Sequence, residues 1–416
     1  MTVTDFKLSI NSERLLGRLK ELGSTGIDGE NKRTRLAASD EDKAGRDLVV
    51  SWMKEAGLEV EIDKIGNIFG IWYEADNRNE APILLGSHID TVINAGIYDG
   101  CYGVLAGLEV ITTLQEKGFS PTRPIGVAAF TNEEGVRYQP DLMGSLVYGG
   151  GLSVDEALAS VGTDGSIMGE ELVRIGYAGN MEPGFLKPHA FIELHVEQGP
   201  ILDKMGIPIG AVENLQGISW QRITIEGIAN HAGTTPTDMR HDAGVAAARV
   251  IAYLRDRASN SNGKTLATVG TIEFKPNAVN VIPSGAVFTV DLRNPNNVKL
   301  EEEELALADY LKGLAESEGV TIKSEQLVRF KPVDFDESIV KLIEAVADSH
   351  GLQTRRMTSG AGQDAQMMAR ICPTAMIFVP SIEGISHNPR ENTKDTDIVM
   401  GANVLLEVVS KLGGNQ

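Results

Sequence analysis

Apolar residues near the start of the chain recur at helical spacing: Leu15, Leu16, Leu19 and Leu22 fall on one stripe. Ser39 then precedes an acidic first turn, Asp40 to Asp42, and Leu48, Val49, Trp52, Met53 and Ala56 follow with helical periodicity up to Gly57. A hydroxyl at the N-cap, carboxylates in the first turn and a closing glycine predict a second helix. Strands are predicted around 58–62 and 68–73. Four later runs, 82–85, 125–130, 190–194 and 375–379, are apolar without alternation. Such runs fit strands covered on both faces, as in a parallel sheet. The first ends at Gly86-Ser87-His88-Ile89-Asp90, the second at Thr131-Asn132-Glu133-Glu134 and the third at His195-Val196-Glu197-Gln198. The fourth leads through a Gly/Ser loop to His387. Ligands of parallel sheets bind beyond the carboxyl ends of the strands. One polar ending there carries little weight; four describe a site.

The pattern changes between about 212 and 329. Ile223 and Ile225 alternate with Thr224 and Glu226, and a helix is predicted over 243–254. Alternating strands at 265–274 and 286–293 come next, then a helix with Leu300, Leu307, Leu311 and Leu314 on one side, then a strand near 320–327. Strand, helix, strand, strand, helix, strand is the ferredoxin-like order. The first pattern resumes with a helix at 338–350. The expected fold is therefore α/β: a largely parallel, doubly wound sheet domain (1–211 and 330–416) interrupted by a smaller ferredoxin-like α+β domain (212–329). No internal repeat or low-complexity tract breaks this reading. The acidic run Glu301–Glu304 reads as a solvated first helical turn.

A length of 416 residues accommodates two such domains. The net charge of −20 opposes binding to nucleic acid or to anionic membranes, so neither is an expected partner. The two cysteines, Cys101 and Cys372, are too few for a disulfide framework, which points to a reducing compartment. No apolar run opens Met1–Ser12 and none approaches a membrane span, so a cytoplasmic location is expected.

Individually, the polar strand endings are ambiguous. His88 offers an imidazole to a divalent metal and Asp90 a carboxylate to orient it, although a lone His-x-Asp is more often structural. Asp99, in Tyr98-Asp99-Gly100, reads either as a turn residue or as a carboxylate bridging two cations. Glu133 and Glu134 repel each other unless compensated; a metal cluster would compensate them, and the two can divide ligation from proton transfer. His195 and His387 complete a set of three imidazoles and at least two carboxylates, which suits two borderline ions such as Zn, Mn, Co or Ni. In the smaller domain, His231 lies in the loop 230–236 as either an oxyanion donor or a surface-turn residue. Arg293 lies on the polar face of its strand with Thr289 and Asp291. Its fork suits a substrate carboxylate or a salt bridge to Asp291.

Taken together, seven stretches resemble the M20 metallopeptidase family, and within it the amidase branch that includes N-carbamoyl-L-amino acid hydrolases, allantoate amidohydrolases and β-ureidopropionases. They are GSHIDTVINAGIYDG (86–100), FTNEEGVRY (130–138), ELHVEQGPILD (193–203), NHAGTTP (230–236), NAVNVIPSG (277–285), VDLRNP (290–295), and SGAGQDAQ with FVPSIEGISHNPRE (359–366, 378–391). The resemblance implies that His88 and His195 hold one metal, Glu134 and His387 the other, and that Asp99 bridges. Asp90 would orient His88, Glu133 would be the general base, and Gln198, His231, Asn280 and Arg293 would bind substrate. The small domain is implied to be a lid and a homodimer surface, with His231 reaching the partner subunit's site. Two departures stand out. Gln363 occupies the place of the usual histidine in GAGHDA, and the lid motif carries Thr237 and His241 where Met and Arg are commoner.

The expected activity is two-metal hydrolysis of an N-carbamoyl-L-α-amino acid, a small ureido acid, to amino acid, ammonia and CO2. Allantoate is the nearest alternative substrate, followed by N-carbamoyl-β-alanine and then by exopeptidase or deacylase activity. A non-catalytic metal- or metabolite-binding protein is the alternative of another class, and it leaves Glu133 without a task.

Overall fold

The computed structural model describes residues 8–30 and 32–414. Residues 1–7, on which the expected lack of a leader segment partly rests, lie outside them. The chain divides into two compact units, Met1–Glu213 with Phe335–Gln416, and Asn214–Asp334. The boundaries expected from sequence, 212 and 329, lie within a few residues of these.

The first unit begins with a helix, Ser12–Leu22, and a second, Asp40–Glu55, whose N-cap Ser39 accepts from the Asp42 N–H. Strands β1 (Glu59–Ile62), β2 (Ile68–Trp72), β3 (Ile83–His88), β4 (Ile125–Phe130), β5 (Ala190–Val196) and β6 (Ile209–Leu215) follow. Between β3 and β4 runs a helix, Cys101–Glu116, buried almost all round. Sequence periodicity passes over it because it has no polar face to mark the helical period.

In the second unit, β7 (Gly217–Glu226), β8 (Leu266–Thr268), β9 (Ile272–Lys275), β10 (Gly285–Asn294) and β11 (Thr321–Phe330) form one antiparallel sheet. Its order is β11-β7-β10-β8, with β9 also on β10. The strand expected over 265–274 is thus two short strands on a common partner. Helices Ala243–Ser259 and Asn297–Glu318 bury Val250, Leu254, Leu307 and Leu311 against Ile223, Ile225, Phe288 and Val290. This is the expected ferredoxin-like arrangement.

The chain then returns through β12 (Val333–Asp334), β13 (Thr354–Ser359) and β14 (Thr374–Val379) to the larger sheet. That sheet runs β1-β2-β4-β3-β5-β14-β6-β12, with β13 also on β6. The pairings β4–β3, β3–β5 and β5–β14 are parallel, while β1–β2, β2–β4, β14–β6 and β6–β12 are antiparallel. The parallel character is concentrated in the four central strands, which are fully buried. Those four carry the polar endings.

A buried ion pair fixes the approach to the end of β4. Arg46 donates to Asp42 Oδ2 at 2.7 Å, to the Gly66 carbonyl at 2.6 Å and to Thr131 Oγ1 at 3.1 Å. Both side chains are at most 1% exposed. Removing one partner of such a pair leaves an uncompensated charge. Replacing Arg46 with Met is expected to lower unfolding stability by about 3–5 kcal/mol. Denaturant melts measure this, and a loss below about 1 kcal/mol, the worth of a surface pair, would show that the pair is not a structural anchor.

Candidate metal centre

Four adjacent strands, β4, β3, β5 and β14, deliver the site residues from their carboxyl ends. His88 is the last residue of β3, His195 lies near the end of β5, Glu133 and Glu134 follow β4, and His387 follows β14. Asp99 sits in the loop between β3 and the helix Cys101–Glu116. Its carboxylate is the hub. Oδ1 lies 3.5 Å from His88 Nε2 and 3.3 Å from His195 Nε2, and Oδ2 lies 3.3 Å from His387 Nε2. His387 Nε2 is also 3.4 Å from Glu134 Oε2. Two groups suited to a metal thus share Asp99: His88, Asp99 and His195, and Asp99, Glu134 and His387. A third grouping of close ligand atoms joins His88 with Glu133 and Glu134, and Glu133 Oε2 lies 3.4 Å from His88 Nε2.

The imidazoles are held by their other nitrogens. His88 Nδ1 bonds the Asp90 carbonyl at 3.0 Å, and His195 Nδ1 bonds the Val196 carbonyl at 2.8 Å. A carbonyl only accepts, so Nδ1 carries a proton and Nε2 is the atom turned to Asp99: while protonated it donates to the carboxylate, and once that proton is displaced its lone pair is the ligand. The Gly100 N–H, 3.0 Å from His195 Nε2, needs the same lone pair. Here the structure corrects the expectation for Asp90. Its carboxylate is 3.7 Å from His88 Nδ1 and instead accepts the N–H groups of Glu133 and Glu134, each at 3.2 Å. Asp90 therefore orients His88 through its backbone and the paired glutamates through its side chain.

Close packing leaves no slack. Gly100 has φ 64°, and a methyl there would collide with His88 Nε2, so glycine is required both by the turn and by the ligand atom. Gln198 (φ 56°) and His387 (φ 52°) hold the left-handed conformation that few other residues adopt. The His88 and His195 side chains are at most 1% exposed, whereas that of His387 is 50% exposed, so one group is sealed and the other faces outward.

The donors fit a pair of divalent cations. Bonds of 2.0–2.1 Å in a tetrahedral site place ligand atoms roughly 3.4 Å apart, close to the spacings above. Glu134 Oε1 is buried without a hydrogen-bond partner among the described residues. Such an orphan is costly unless a cation meets it. Three imidazoles with carboxylates suit a borderline metal.

Other expected site residues fall elsewhere. Gln198, expected to bind substrate, donates one amide N–H to Asp99 Oδ2 at 2.9 Å. His231, Asn280 and Arg293 belong to the second unit. Asn280 and His231 are exposed, and His231 Nδ1 accepts the Gly233 N–H at 3.0 Å. Arg293 pairs with Asp291 at 2.9 Å, the salt bridge weighed from sequence. Two residues of the last motif gain roles that sequence reasoning does not assign. Ser386 Oγ donates to Asp99 Oδ2 at 3.1 Å, and Glu391 Oε2 accepts the Tyr98 N–H at 2.9 Å. Their closeness to His387 in sequence is the only signal of either.

Protons occupy the ligands of the metal-stripped protein. Contact with Asp99 raises His387 to about 9, against burial and with help from Glu134. Burial, then the Asp99 charge, pushes Glu134 up to about 8. The raised histidine contributes stability that is complete below its ordinary value of 6.5 and is lost as pH rises through about 9. The raised glutamate acts in the same sense: the stability tied to its protonated form is lost as pH climbs from 4.5 through about 8. Both groups hold protons at pH 7 that a cation must displace. Metal uptake at neutral pH should therefore release protons, and affinity should rise as pH approaches 9. Calorimetric Mn²⁺ titration in two buffers of different ionisation enthalpy measures this; equal heats would contradict it.

Comparison with known proteins agrees with this geometry. Residues 84–411 match peptidase family M20/M25/M40. The chain is similar to a Rhizobium meliloti protein named N-carbamoyl-L-amino-acid amidohydrolase, 37% identical over 96% of each chain. It is also similar to a Bacillus subtilis allantoate amidohydrolase, 32% identical over 98% of each. Among solved structures, an amidase of the hydantoinase/carbamoylase family from Burkholderia multivorans superposes with a TM-score of 0.95 at 40% identity, covering 98% of this chain and 99% of that one. The extent of the family match and the nearly full-length relatives give one conclusion: the chain belongs to peptidase family M20/M25/M40.

Proposed function

We propose that this chain hydrolyses the ureido group of N-carbamoyl-L-α-amino acids: the substrate and one water give the L-amino acid, ammonia and CO2. The coarser assignment stands on the family and its relatives: the chain is a metal-dependent amidohydrolase acting on C–N bonds. The observation that carries the mechanism is Asp99, whose two oxygens serve two separate ligand groups with Glu133 alongside. The carbamoyl substrate is favoured because two relatives named for it are 37% identical, against 33% for one named for ureidoglycolate and 32% for one named for allantoate.

In this reading, His88, His195 and Asp99 hold one divalent cation, and Asp99, Glu134 and His387 hold the second; manganese, cobalt, nickel and zinc all suit these donors. When bound, the pair supplies acidification of a water and polarisation of the ureido carbonyl. Glu133 takes the proton from that water and returns it to the leaving nitrogen. Burial raises Glu133 well above the ordinary carboxylate range, with the opposing pull of His88 and the added push of Glu134. Asp90 holds the Glu133 and Glu134 N–H groups, so base and ligand keep their separate directions.

Three residues of the second unit are proposed to bind substrate. The Gly233 N–H on His231 Nδ1 leaves the proton on Nε2, a donor for a developing oxyanion. Arg293 offers its fork to the substrate carboxylate, in competition with Asp291. Asn280 supplies a neutral amide for the same ligand. A homodimer formed through this unit and a cytoplasmic location belong to the same proposal; among the described residues, no helix is long and apolar enough to cross a membrane.

Ammonia release by metal-stripped protein, reloaded with Mn, Co, Ni or Zn, tests the reading. N-carbamoyl-L-methionine should turn over well above its D-enantiomer, N-carbamoyl-β-alanine and allantoate. Turnover of allantoate alone would move the substrate and keep the chemistry, and no turnover with any metal would sink the hydrolase reading. Glu133→Gln should still bind metal but lose at least about 100-fold in kcat. Near-normal turnover would remove Glu133 as the base.

A further inference from the structure

Asp99 Oδ2 accepts from the Gln198 amide, and Gln198 is itself gripped. Gln363 Nε2 donates to Gln198 Oε1 at 2.7 Å, and Gln198 Nε2 donates to Asp99 Oδ2 at 2.9 Å. Gln363 is 1% exposed. It stands at the N-cap of the helix Asp364–Met368, yet its side chain makes no capping bond to that helix. The Gln198 backbone is pinned as well, with its N–H on Ser381 Oγ at 3.0 Å and φ 56°.

We infer that Gln363 is a positioning residue whose amide N–H locks Gln198 in the orientation that donates to the bridging carboxylate. This rests on the reading of Asp99 as a cation ligand. The two ends of an amide have nearly the same shape and opposite hydrogen-bonding character. An ionised carboxylate only accepts, so Gln198 must turn its NH2 to Asp99 and its oxygen to position 363. Position 363 must then present a donor. Glutamine does so whatever the pH, and an imidazole N–H does so too, which accounts for glutamine standing where the resembled motif has histidine. A side chain of similar length without an N–H leaves Gln198 free to flip. The flip turns its oxygen onto Asp99 Oδ2, so two acceptors face each other and the carboxylate is pushed off the line shared by His88, His195 and His387. Gln363 thus acts on cation affinity through Gln198 and Asp99, without touching substrate.

The test compares wild type, Gln363→Met and Gln363→His, all metal-stripped. Each is titrated with Mn²⁺ alone by calorimetry, alongside thermal melts of the stripped proteins as a check on folding. Methionine has nearly the glutamine volume and no donor; histidine restores one. Partners that orient metal ligands are worth about 10–100-fold in affinity. Gln363→Met is expected to lose that much Mn²⁺ affinity with an unchanged stripped-protein melt, and Gln363→His is expected to retain wild-type affinity. Unchanged affinity in Gln363→Met overturns the inference, as does an equal loss in both variants. Wild-type protein that binds no Mn²⁺ would instead sink the metal reading itself. A rise in KM in Gln363→Met at unaltered Mn²⁺ affinity would make Gln363 a substrate contact and end its role as a positioning residue.

Discussion

Burying the Asp99 carboxylate is tolerable because three imidazoles, an amide and a hydroxyl converge on it. An isolated charge at such depth would cost several kcal/mol. Here burial alone would push Asp99 up, but the contacts with His195, His387 and His88 outweigh it and hold the group well below the ordinary carboxylate range. Much of the surrounding architecture secures that convergence. The parallel pairing of β4, β3, β5 and β14 brings four chain segments to one sheet edge, and Gly100 keeps the space at His88 Nε2 clear. Glu391 holds the loop before Asp99 by the Tyr98 N–H, in a seat where a methyl on Gly96 would collide with it.

The same constraint explains a division of labour among the acidic residues. Asp90 and Glu391 both lie beside ligands, yet their side chains hold backbone N–H groups. Asp90 sets the glutamate pair after β4, and Glu391 sets the approach to Asp99. They anchor the loops from which ligands project and leave Glu133, Glu134 and Asp99 to face the site. The motifs that look like clusters of acid in sequence therefore contain two kinds of carboxylate, which only geometry separates.

The central strands were legible because each is a short, unbroken apolar run stopped by a polar residue, and the second unit because its strands alternate cleanly. What escaped was set by tertiary context. The helices Cys101–Glu116 and Asp395–Gly413 are apolar on most sides, so no stripe announces them. Strands β6 and β13 lack an unbroken apolar run: half-buried Glu213 and Asn214 interrupt β6, and Thr354, Arg355 and Arg356 open β13. Among site residues, the ligand types and their order were readable from strand endings. The role of Asp90 was not, because backbone and side chain of the same residue serve different partners. Nor were those of Gln198 and Gln363, because the direction of an amide depends on what lies across from it.

The ligand atoms come from positions 88, 99, 134, 195 and 387, and the last follows the whole of Asn214–Asp334 in the chain. Contacts between segments so far apart close late and slowly, since the loop entropy must be lost before the contact repays it. During synthesis the outward-facing group lacks its histidine until the inserted unit has been made and β14 has paired with β5. Full assembly of the centre thus requires the chain through His387: a product that stops short of it cannot gather both groups around Asp99.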